Sequence, residues 1–264
     1  MQRALAYASA LDLLVVQHPE EPSLALGGVV NDGAIATRLG LKGIPPVAEV
    51  MVIERDLRLV ELTGARYHVA HISTAAAIEA VRKAIAKGLR VTAETTPHHL
   101  ALNELEVEGY RTFAKVSPPL RSEADREAVV AGLVDGTIDV IASDHCPQDQ
   151  DSKRLPMAQA EFGVVGVETM LPVALRLFHE GHLPLLGLLK KLTCNPARLL
   201  GLEAGKLAEG AAADLLLLDP DRPWKITEQG LTSLAKNTAF EGRLVQGRVL
   251  LTMVDGRVVH RFAG

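Results

Sequence analysis

Residues 138–147 read Ile-Asp-Val-Ile-Ala-Ser-Asp-His-Cys-Pro and join a short apolar run to a polar turn. The run over 138–142 is rich in β-branched residues and too short for a typical helix, which predicts a buried strand. Asp144 and His145 follow at its carboxyl end. In parallel α/β folds, this end of a strand carries binding and catalytic groups. The stretch therefore indicates both a fold class and the position of a site.

Three earlier segments repeat this arrangement of a short apolar strand next to a helical pattern. The predicted strands comprise residues 13–16, 67–70, 89–93 and 138–142. The predicted helices comprise residues 45–64, 73–88, 123–134, 166–179 and 185–192. This alternation is typical of βαβ units in a parallel sheet. Four strands fit either an open doubly wound sheet or part of a closed barrel, and the pattern alone leaves both open.

The end of the chain has a different pattern. Residues 213–218 and 245–259 are short β runs interrupted by glycine, and Asp255-Gly256 is a hairpin signal. We therefore expect an α/β part over residues 1–204, followed by a small all-β part over residues 205–264.

Composition excludes several classes of protein. The 264 residues are 48% hydrophobic and 23% charged, which argues against disorder and coiled coil. A net charge of −4 provides no basic field for nucleic acid, and no apolar run is long enough to cross a bilayer. Cys146 and Cys194 are too few for a disulfide framework. We expect a cytoplasmic protein that acts on a small molecule, with no nucleic-acid or membrane partner.

Three strand ends each supply a side chain suited to a metal ion. His18 follows the first predicted strand, His71 the second and Asp144 the fourth. A single histidine at a strand end is usually a hydrogen-bonded structural group, but three coinciding ligands favour a shared divalent-metal site, with zinc first. His98 and His99 either cap a loop or lie near this site.

Asp144 also suggests a type of reaction. A carboxylate beside a metal can take a proton from metal-activated water and deliver it to a leaving nitrogen, as amide hydrolysis requires. The sequence contains no Gly-x-Ser-x-Gly, Walker or Gly-x-Gly-x-x-Gly motif to suggest other chemistry.

The segments around these residues resemble the amidohydrolase superfamily and, within it, dihydroorotases of the longer, bacterial multifunctional-complex type. His-Pro-Glu-Glu at 18–21 and His-Ile-Ser-Thr at 71–74 resemble the family segments after barrel strands five and six. Asp-His-Cys-Pro at 144–147 resembles the segment after strand eight. Residues 92–100, 117–121 and 163–169 are similar to three further dihydroorotase segments.

The resemblance implies that His18, His71 and Asp144 bind one or two Zn²⁺ ions and that Asp144 is also the catalytic acid and base. Ser117 stands where the family has an Asn or Arg, and Gln148 where it has a His. We expect both to bind substrate, with less charge complementarity to an anion than the family residues provide. The reaction implied is the reversible hydrolysis of L-dihydroorotate to N-carbamoyl-L-aspartate in de novo pyrimidine synthesis.

The resemblance also implies the C-terminal half of a (β/α)₈ TIM-type amidohydrolase barrel, strands five to eight, with part of a small β-sandwich appended. The family's His-x-His of strand one is absent from the sequence. A half barrel leaves sheet edges open, so we expect either a missing N-terminal half or a homo-oligomer.

Three other interpretations remain at this point. The first is a non-catalytic dihydroorotase-like subunit that scaffolds aspartate transcarbamoylase, which Ser117 and Gln148 favour. The second is a hydantoinase-like or allantoinase-like amidase, against which the segment 117–121 argues. The third is an α/β binding module without metal, which leaves the three strand-end ligands unexplained.

Overall fold

The computed structural model describes residues 1–262, which form two compact units. The first unit comprises residues 1–167 and 233–239, and the second comprises residues 168–232 and 240–262. Each is described separately below.

A parallel sheet forms the centre of the first unit. The strands of this unit are β1 (Leu14–Gln17), β2 (Val30–Asn31), β3 (Gly43–Ile44), β4 (Arg66–Val69), β5 (Val91–Thr95) and β6 (Val140–Ile141). Strands β1, β4, β5 and β6 lie side by side in that order, all parallel, and β2 pairs with β3 apart from them. The four predicted strands and their parallel pairing are thus confirmed.

The order of these four strands follows their order along the chain. A doubly wound sheet instead reverses its strand order at one point, and the described sheet contains no such reversal. Gln17, Val69 and Ala93 occupy the same register position on β1, β4 and β5. The carboxyl ends of the strands therefore meet at one edge of the sheet.

Helices precede, connect and follow these strands. They are α1 (Gln2–Ala10), α2 (Pro22–Ala25), α3 (Ala34–Leu39), α4 (Val47–Thr63), α5 (Ala75–Ala86), α6 (Pro97–Ala101), α7 (Glu123–Asp135) and α8 (Gln150–Lys153), with 3₁₀ turns at Glu104–Tyr110 and Thr112–Ala114. The three long predicted helices of this unit are present as α4, α5 and α7.

Local sequence accounts for the ends of these helices. Gly64 ends α4 in the left-handed conformation (φ 67°), which glycine adopts without steric cost. Thr74 caps α5 through its hydroxyl, which accepts from the Ala77 N–H at 3.3 Å, and Ser122 caps α7 from the Asp125 N–H at 3.2 Å.

The buried face of β4 packs on α4. Tyr67 is fully buried, and its hydroxyl donates to Oδ2 of Asp56 on α4 at 2.9 Å. Arg55 donates to the other carboxylate oxygen at 2.8 Å. Burial, reinforced by the Asp56 charge, raises the pKa of the Tyr67 phenol, so the group remains a neutral donor.

The second unit combines four helices with a three-stranded antiparallel sheet. Its helices are α9 (Val167–Ala174), α10 (Arg176–His179), α11 (Leu185–Leu192) and α12 (Cys194–Leu200), and its strands are β7 (Leu215–Lys225), β8 (Leu244–Val254) and β9 (Arg257–Arg261). The turn between β8 and β9 is Asp255-Gly256, with φ of 47° and 75°, as the hairpin signal predicts.

The prediction of one helix over 166–179 is wrong in one respect. The chain forms α9 and α10 with a break at Leu175, and Pro172, which has no N–H to donate, lies inside α9. Throughout residues 1–262, no helix has the length and apolar character needed to cross a membrane.

Candidate metal and catalytic site

Polar residues follow the strand ends at the shared edge of the sheet. His18 follows β1, His71 lies two residues after β4, and Asp144 lies three residues after β6. His71 (φ 38°) and Asp144 (φ 43°) have left-handed backbones, which are uncommon for residues other than glycine. Such conformations concentrate at functional sites, where the surrounding structure holds them.

The structure brings His18 and His71 together. Nδ1 of His18 lies 3.0 Å from Nε2 of His71, and the two rings meet edge to face with centroids 4.6 Å apart. Two imidazole nitrogens bound tetrahedrally to one zinc ion are ~3.3 Å apart, given Zn–N bonds of ~2.0–2.1 Å. The pair is therefore close to the spacing of two ligands of one ion.

The charge state of His71 suits this role. Burial, followed by the neighbouring His18, lowers the pKa of His71 to about 3. The imidazole is therefore neutral near pH 7, and the neutral form is the one that binds metal.

Asp144 lies in a different electrostatic environment. Burial raises the pKa of its carboxyl group, Glu94 raises it further, and His18 opposes both. Its Oδ2 lies 3.7 Å from Nε2 of His98, an almost fully buried nitrogen with no hydrogen-bond partner among residues 1–262. A carboxyl group with a raised pKa next to a neutral imidazole is suited to accepting and returning a proton.

The predicted ligand set comes together only in part. His18 contacts His71 directly and influences Asp144 through its charge. In the part of the chain that the structure describes, no group of three or more His, Cys, Asp or Glu side chains has an arrangement that could hold a metal ion. The two imidazoles fit a metal, while the third ligand remains a prediction.

A buried carboxylate supports the turn that carries His71. Glu49, in the first turn of α4, accepts from the N–H groups of Ser73 and Thr74 at 3.1 and 3.0 Å and from both of their hydroxyls. Arg121 lies 3.7 Å from the same carboxylate and donates to the Ser73 hydroxyl at 3.1 Å. This network fixes the backbone two residues beyond His71.

A hydrogen bond from His99 holds the segment that carries Ser117. Its Nε2 donates to the Pro118 carbonyl at 3.0 Å, and its Nδ1 accepts from the Thr96 hydroxyl at 2.9 Å. The Ser117–Pro118 peptide bond is cis. Burial lowers the pKa of His99 to about 4, so the folded protein holds this ring neutral.

We expect the stability of the metal-free protein to fall as the pH decreases from about 6.5 to about 4. The unfolded state protonates His99 near pH 6.5, whereas the folded state resists protonation down to about 4. The contribution of His99 to the free energy of unfolding is thus fully present above pH 6.5. It decreases by about 3 kcal/mol as the pH falls to 4. Urea unfolding in chelator across this range tests the prediction. His99→Asn should flatten the slope, the exposed-site variant His182→Asn should not, and an unchanged slope in His99→Asn would contradict the assignment.

The two predicted substrate residues lie in different surroundings. Ser117 Oγ lies 3.4 Å from Oε2 of Glu20, and both line a cavity of about 340 Å³ together with Val29, Lys115 and Phe162. Gln148 donates through Nε2 to the Phe162 carbonyl at 2.9 Å. Among residues 1–262, Gln148 is not part of the lining of this cavity.

Comparison with known proteins identifies the family of this chain. The model of the amidohydrolase family matches residues 45–259, which is most of the chain. The chain belongs to the amidohydrolase family. A second model, described as dihydro-orotase-like, matches residues 1–77.

Two curated relatives of this amidohydrolase are named dihydroorotase. The one from Anaplasma phagocytophilum is 47% identical over 99% of this chain and 59% of its own length. The one from Syntrophotalea carbinolica is 48% identical over 100% of this chain and 62% of its own length. The chain spans about three-fifths of the length of these relatives.

Two solved structures have a fold similar to that of this chain. A dihydropyrimidinase from Brevibacillus agri matches with a TM-score of 0.87 at 26% identity, over 98% of this chain and 59% of its own. An L-hydantoinase from Arthrobacter aurescens matches with a TM-score of 0.87 at 29% identity, over 98% of this chain and 60% of its own. The fold is thus an amidohydrolase-type α/β fold with a parallel sheet.

Sequence reasoning missed several residues of this amidohydrolase site. Glu49 lies in an ordinary helical pattern, and its partners are 24 or more positions away, so nothing local identifies it. Asn237 accepts from the backbone N–H of Gln148 at 3.2 Å across 89 positions of sequence. The contact of His98 with Asp144, by contrast, corresponds to one of the two alternatives that the sequence left open for the His-His pair at 98–99.

Proposed function

We propose that this amidohydrolase catalyses the metal-dependent, reversible hydrolysis of L-dihydroorotate to N-carbamoyl-L-aspartate in de novo pyrimidine synthesis. The observation that carries the proposal is the pair of imidazole nitrogens 3.0 Å apart at the strand ends. Asp144 at the neighbouring strand end has a raised pKa, on which His18 acts through its charge. The names of the curated relatives support this substrate over the hydantoins of the structural neighbours, because identity is 47–48% with the former and 26–29% with the latter.

His18 and His71 would hold the metal, for which zinc is the best match to imidazole ligands, with Asp144 as a further ligand. When bound, such an ion polarises a carbonyl group and lowers the pKa of water. One or two ions fit the proposal.

Asp144 would move the proton. Hydrolysis adds water to the ring carbonyl carbon, breaks its bond to nitrogen and returns a proton to that nitrogen. The Asp144 carboxylate accepts the proton from water and then donates it to the leaving nitrogen, so it ends the cycle in its starting state. The raised pKa of Asp144 brings its proton affinity closer to that needed for both halves of this transfer.

Ser117 and Gln148 would orient the substrate through hydrogen bonds. Ser117 lines the cavity beside Glu20, so its hydroxyl is available there. The Gln148 amide nitrogen is held by the Phe162 carbonyl, which leaves its carbonyl oxygen to accept from a substrate N–H.

The proposal includes a longer functional assembly. Residues 1–204 would form strands five to eight of a (β/α)₈ barrel, and residues 205–264 part of a β-sandwich. Val16 on β1 and Leu217 on β7 are more than half exposed although both belong to sheets, which supports a further polypeptide or a second copy of the chain covering them. The two cysteines are free and fit a cytoplasmic location.

The direct test is a dihydroorotate assay. The chain is tested alone and with the part of the A. phagocytophilum dihydroorotase that it does not match, supplied as a separate polypeptide. We expect chelator-sensitive interconversion of dihydroorotate and N-carbamoyl-L-aspartate. If neither preparation interconverts them, the proposed function is wrong, and hydantoin turnover in the same samples would identify a hydantoinase-type amidase instead.

We expect His71→Ala to weaken zinc binding by more than the roughly 10–100-fold that loss of an outer-sphere partner costs, because it removes a direct ligand. Equilibrium dialysis against a competing chelator measures this, with His182→Ala as the matched control at an exposed site. Zinc affinity equal to that of the unmodified chain would remove His71 from the ligand set.

A further inference from the structure

Two lysine side chains are buried in the first unit near the site, and the reaction proposed above uses neither. Lys153, the last residue of α8, is fully buried, and Lys115 is 2% exposed. Lysine is almost never fully buried without a partner of opposite charge. Within residues 1–262, however, neither ammonium group has a carboxylate within ion-pair distance.

Backbone carbonyls surround both ammonium groups. Nζ of Lys153 donates to the carbonyls of Glu161, Gly163 and Lys115 at 2.7, 3.0 and 3.3 Å, which uses all three of its donors. Nζ of Lys115 donates to the carbonyls of Met157 and Ala160 at 2.8 and 2.6 Å and lies 4.4 Å from the centre of the Phe162 ring.

The charges of these lysines remain largely uncompensated. Burial, with the Lys115 charge second, lowers the pKa of Lys153 to about 8, while Cys146 and Glu161 oppose the shift. Burial also lowers the pKa of Lys115. Burying two ammonium groups costs free energy, and apolar side chains in the same space would stabilise the surrounding segments without that cost. Stability alone therefore does not explain the two lysines.

The carbonyls all belong to two segments, 149–163 and the stretch that begins at Lys115. The N–H of Gly163 donates to the Lys115 carbonyl at 3.0 Å, which joins the two segments directly. Gly163 has φ 116°, and a Cβ there would lie 2.6 Å from Sγ of Cys146, so only glycine permits this approach.

The lysines are connected, through neighbouring residues and hydrogen bonds, to both proposed substrate-binding residues. Lys115 lies two positions before Ser117. Gln148 donates from its side chain to the Phe162 carbonyl, next to the Gly163 carbonyl that Lys153 holds. Asn237 bridges the Gly163 carbonyl at 3.0 Å and the Gln148 N–H at 3.2 Å.

We infer that Lys115 and Lys153 are positioning residues for substrate binding, because their buried ammonium groups tie segment 149–163 to the turn at 115–117 and so hold Gln148 and Ser117 in place. The inference rests on the proposed function for its substrate. The positive charges of these lysines, behind both residues, also compensate for the positive charge that Ser and Gln do not offer to an anionic substrate.

Hydrogen exchange measured by mass spectrometry tests, independently of activity, whether the lysines hold segment 149–163 against residues 115–117. Lys153→Met removes the ammonium donor from three carbonyls. The Gly163 and Lys115 carbonyls keep the Asn237 amide and the Gly163 N–H as donors, whereas the Glu161 carbonyl loses its hydrogen bond to Nζ, which corresponds to about tenfold faster exchange of segment 149–163. Lys115→Met should act on the same segment and provides a second test if Lys153→Met does not fold. Arg154→Met, at the exposed neighbouring position, is the matched control and should leave exchange unchanged. Unchanged exchange in the folded lysine variants would overturn the inference.

Kinetics separates positioning of the substrate from a merely structural role. In the dihydroorotate assay, both lysine variants should raise KM by about tenfold and change kcat by less, since substrate binding rather than proton transfer is affected. An equal loss of kcat with unchanged KM would overturn the positioning role. If the unmodified protein does not turn over dihydroorotate, the proposed function fails, and the exchange rates of 115–117 and 146–148 still decide whether the lysines hold these residues.

Discussion

Asp144→Asn should reduce dihydroorotate turnover by roughly 10²–10⁴-fold, the usual contribution of a general acid and base. Asparagine has nearly the same shape but can neither accept the proton from water nor return it to the leaving nitrogen. The loss should therefore appear mainly in kcat. Steady-state kinetics in both directions of the reaction measures it.

The matched control for this variant is Asp151→Asn. Asp151 is exposed and lies in the short helix α8, seven residues after Asp144, so this substitution makes the same change in charge away from the strand ends. Its turnover should be that of the unmodified protein, and the melting temperatures of all three should agree. Retention of more than a tenth of the activity by Asp144→Asn would assign the proton transfer to another group, for which His98 is the nearest candidate.

Glu49→Gln should lower the free energy of unfolding by about 3–5 kcal/mol, the usual cost of breaking one side of a buried ion pair. Glu49 and Arg121 are 1% and 3% exposed, so the remaining guanidinium could not be solvated by water. Arg121 donates to Asn31 Oδ1 and to the Ile44 carbonyl, so the penalty should reach the β2–β3 pair as well. Urea or thermal unfolding followed by circular dichroism measures the change.

Two further variants make this test specific. Glu54→Gln, at an exposed position on the same helix, should change stability by less than about 0.5 kcal/mol. The double variant Glu49→Gln/Arg121→Met removes the unpaired charge and should recover part of the loss. If Glu49→Gln is as stable as Glu54→Gln, the carboxylate does not support the turn that carries His71.

The helices and strands were the part of the fold that could be predicted from the sequence. Helix α11 has the predicted bounds because burial of one helix face imposes a period on the sequence. The four strands lie within two residues of their predicted positions because strands of a buried parallel sheet are short continuous apolar runs. The choice between a barrel and a doubly wound sheet could not be made from periodicity, since both use the same βαβ unit. Strand order is a non-local property, and it became visible only through pairings such as β1 with β4.

The candidate site was predictable where chemistry and strand position coincide. One histidine at a strand end is usually structural, but His18, His71 and Asp144 follow three strands of one predicted parallel sheet, and this coincidence favours the hypothesis of a shared site. Glu49, Asn237 and Lys153 could not be found in this way. Their roles depend on backbone groups elsewhere in the chain, and nothing about a glutamate in a helix or a lysine at the end of a short helix reveals which carbonyls or N–H groups it will contact.

The contact between His18 and His71 has a thermodynamic consequence. The two residues are 53 positions apart, and they meet because β1 and β4 pair as neighbours. The unfolded chain has no such pair, so an ion held by both rings would bind only the native state and would raise the free energy of unfolding. Zinc would thus act as a reporter of strand pairing: any change that separates β1 from β4, however distant from the histidines, should be detected as a loss of metal affinity.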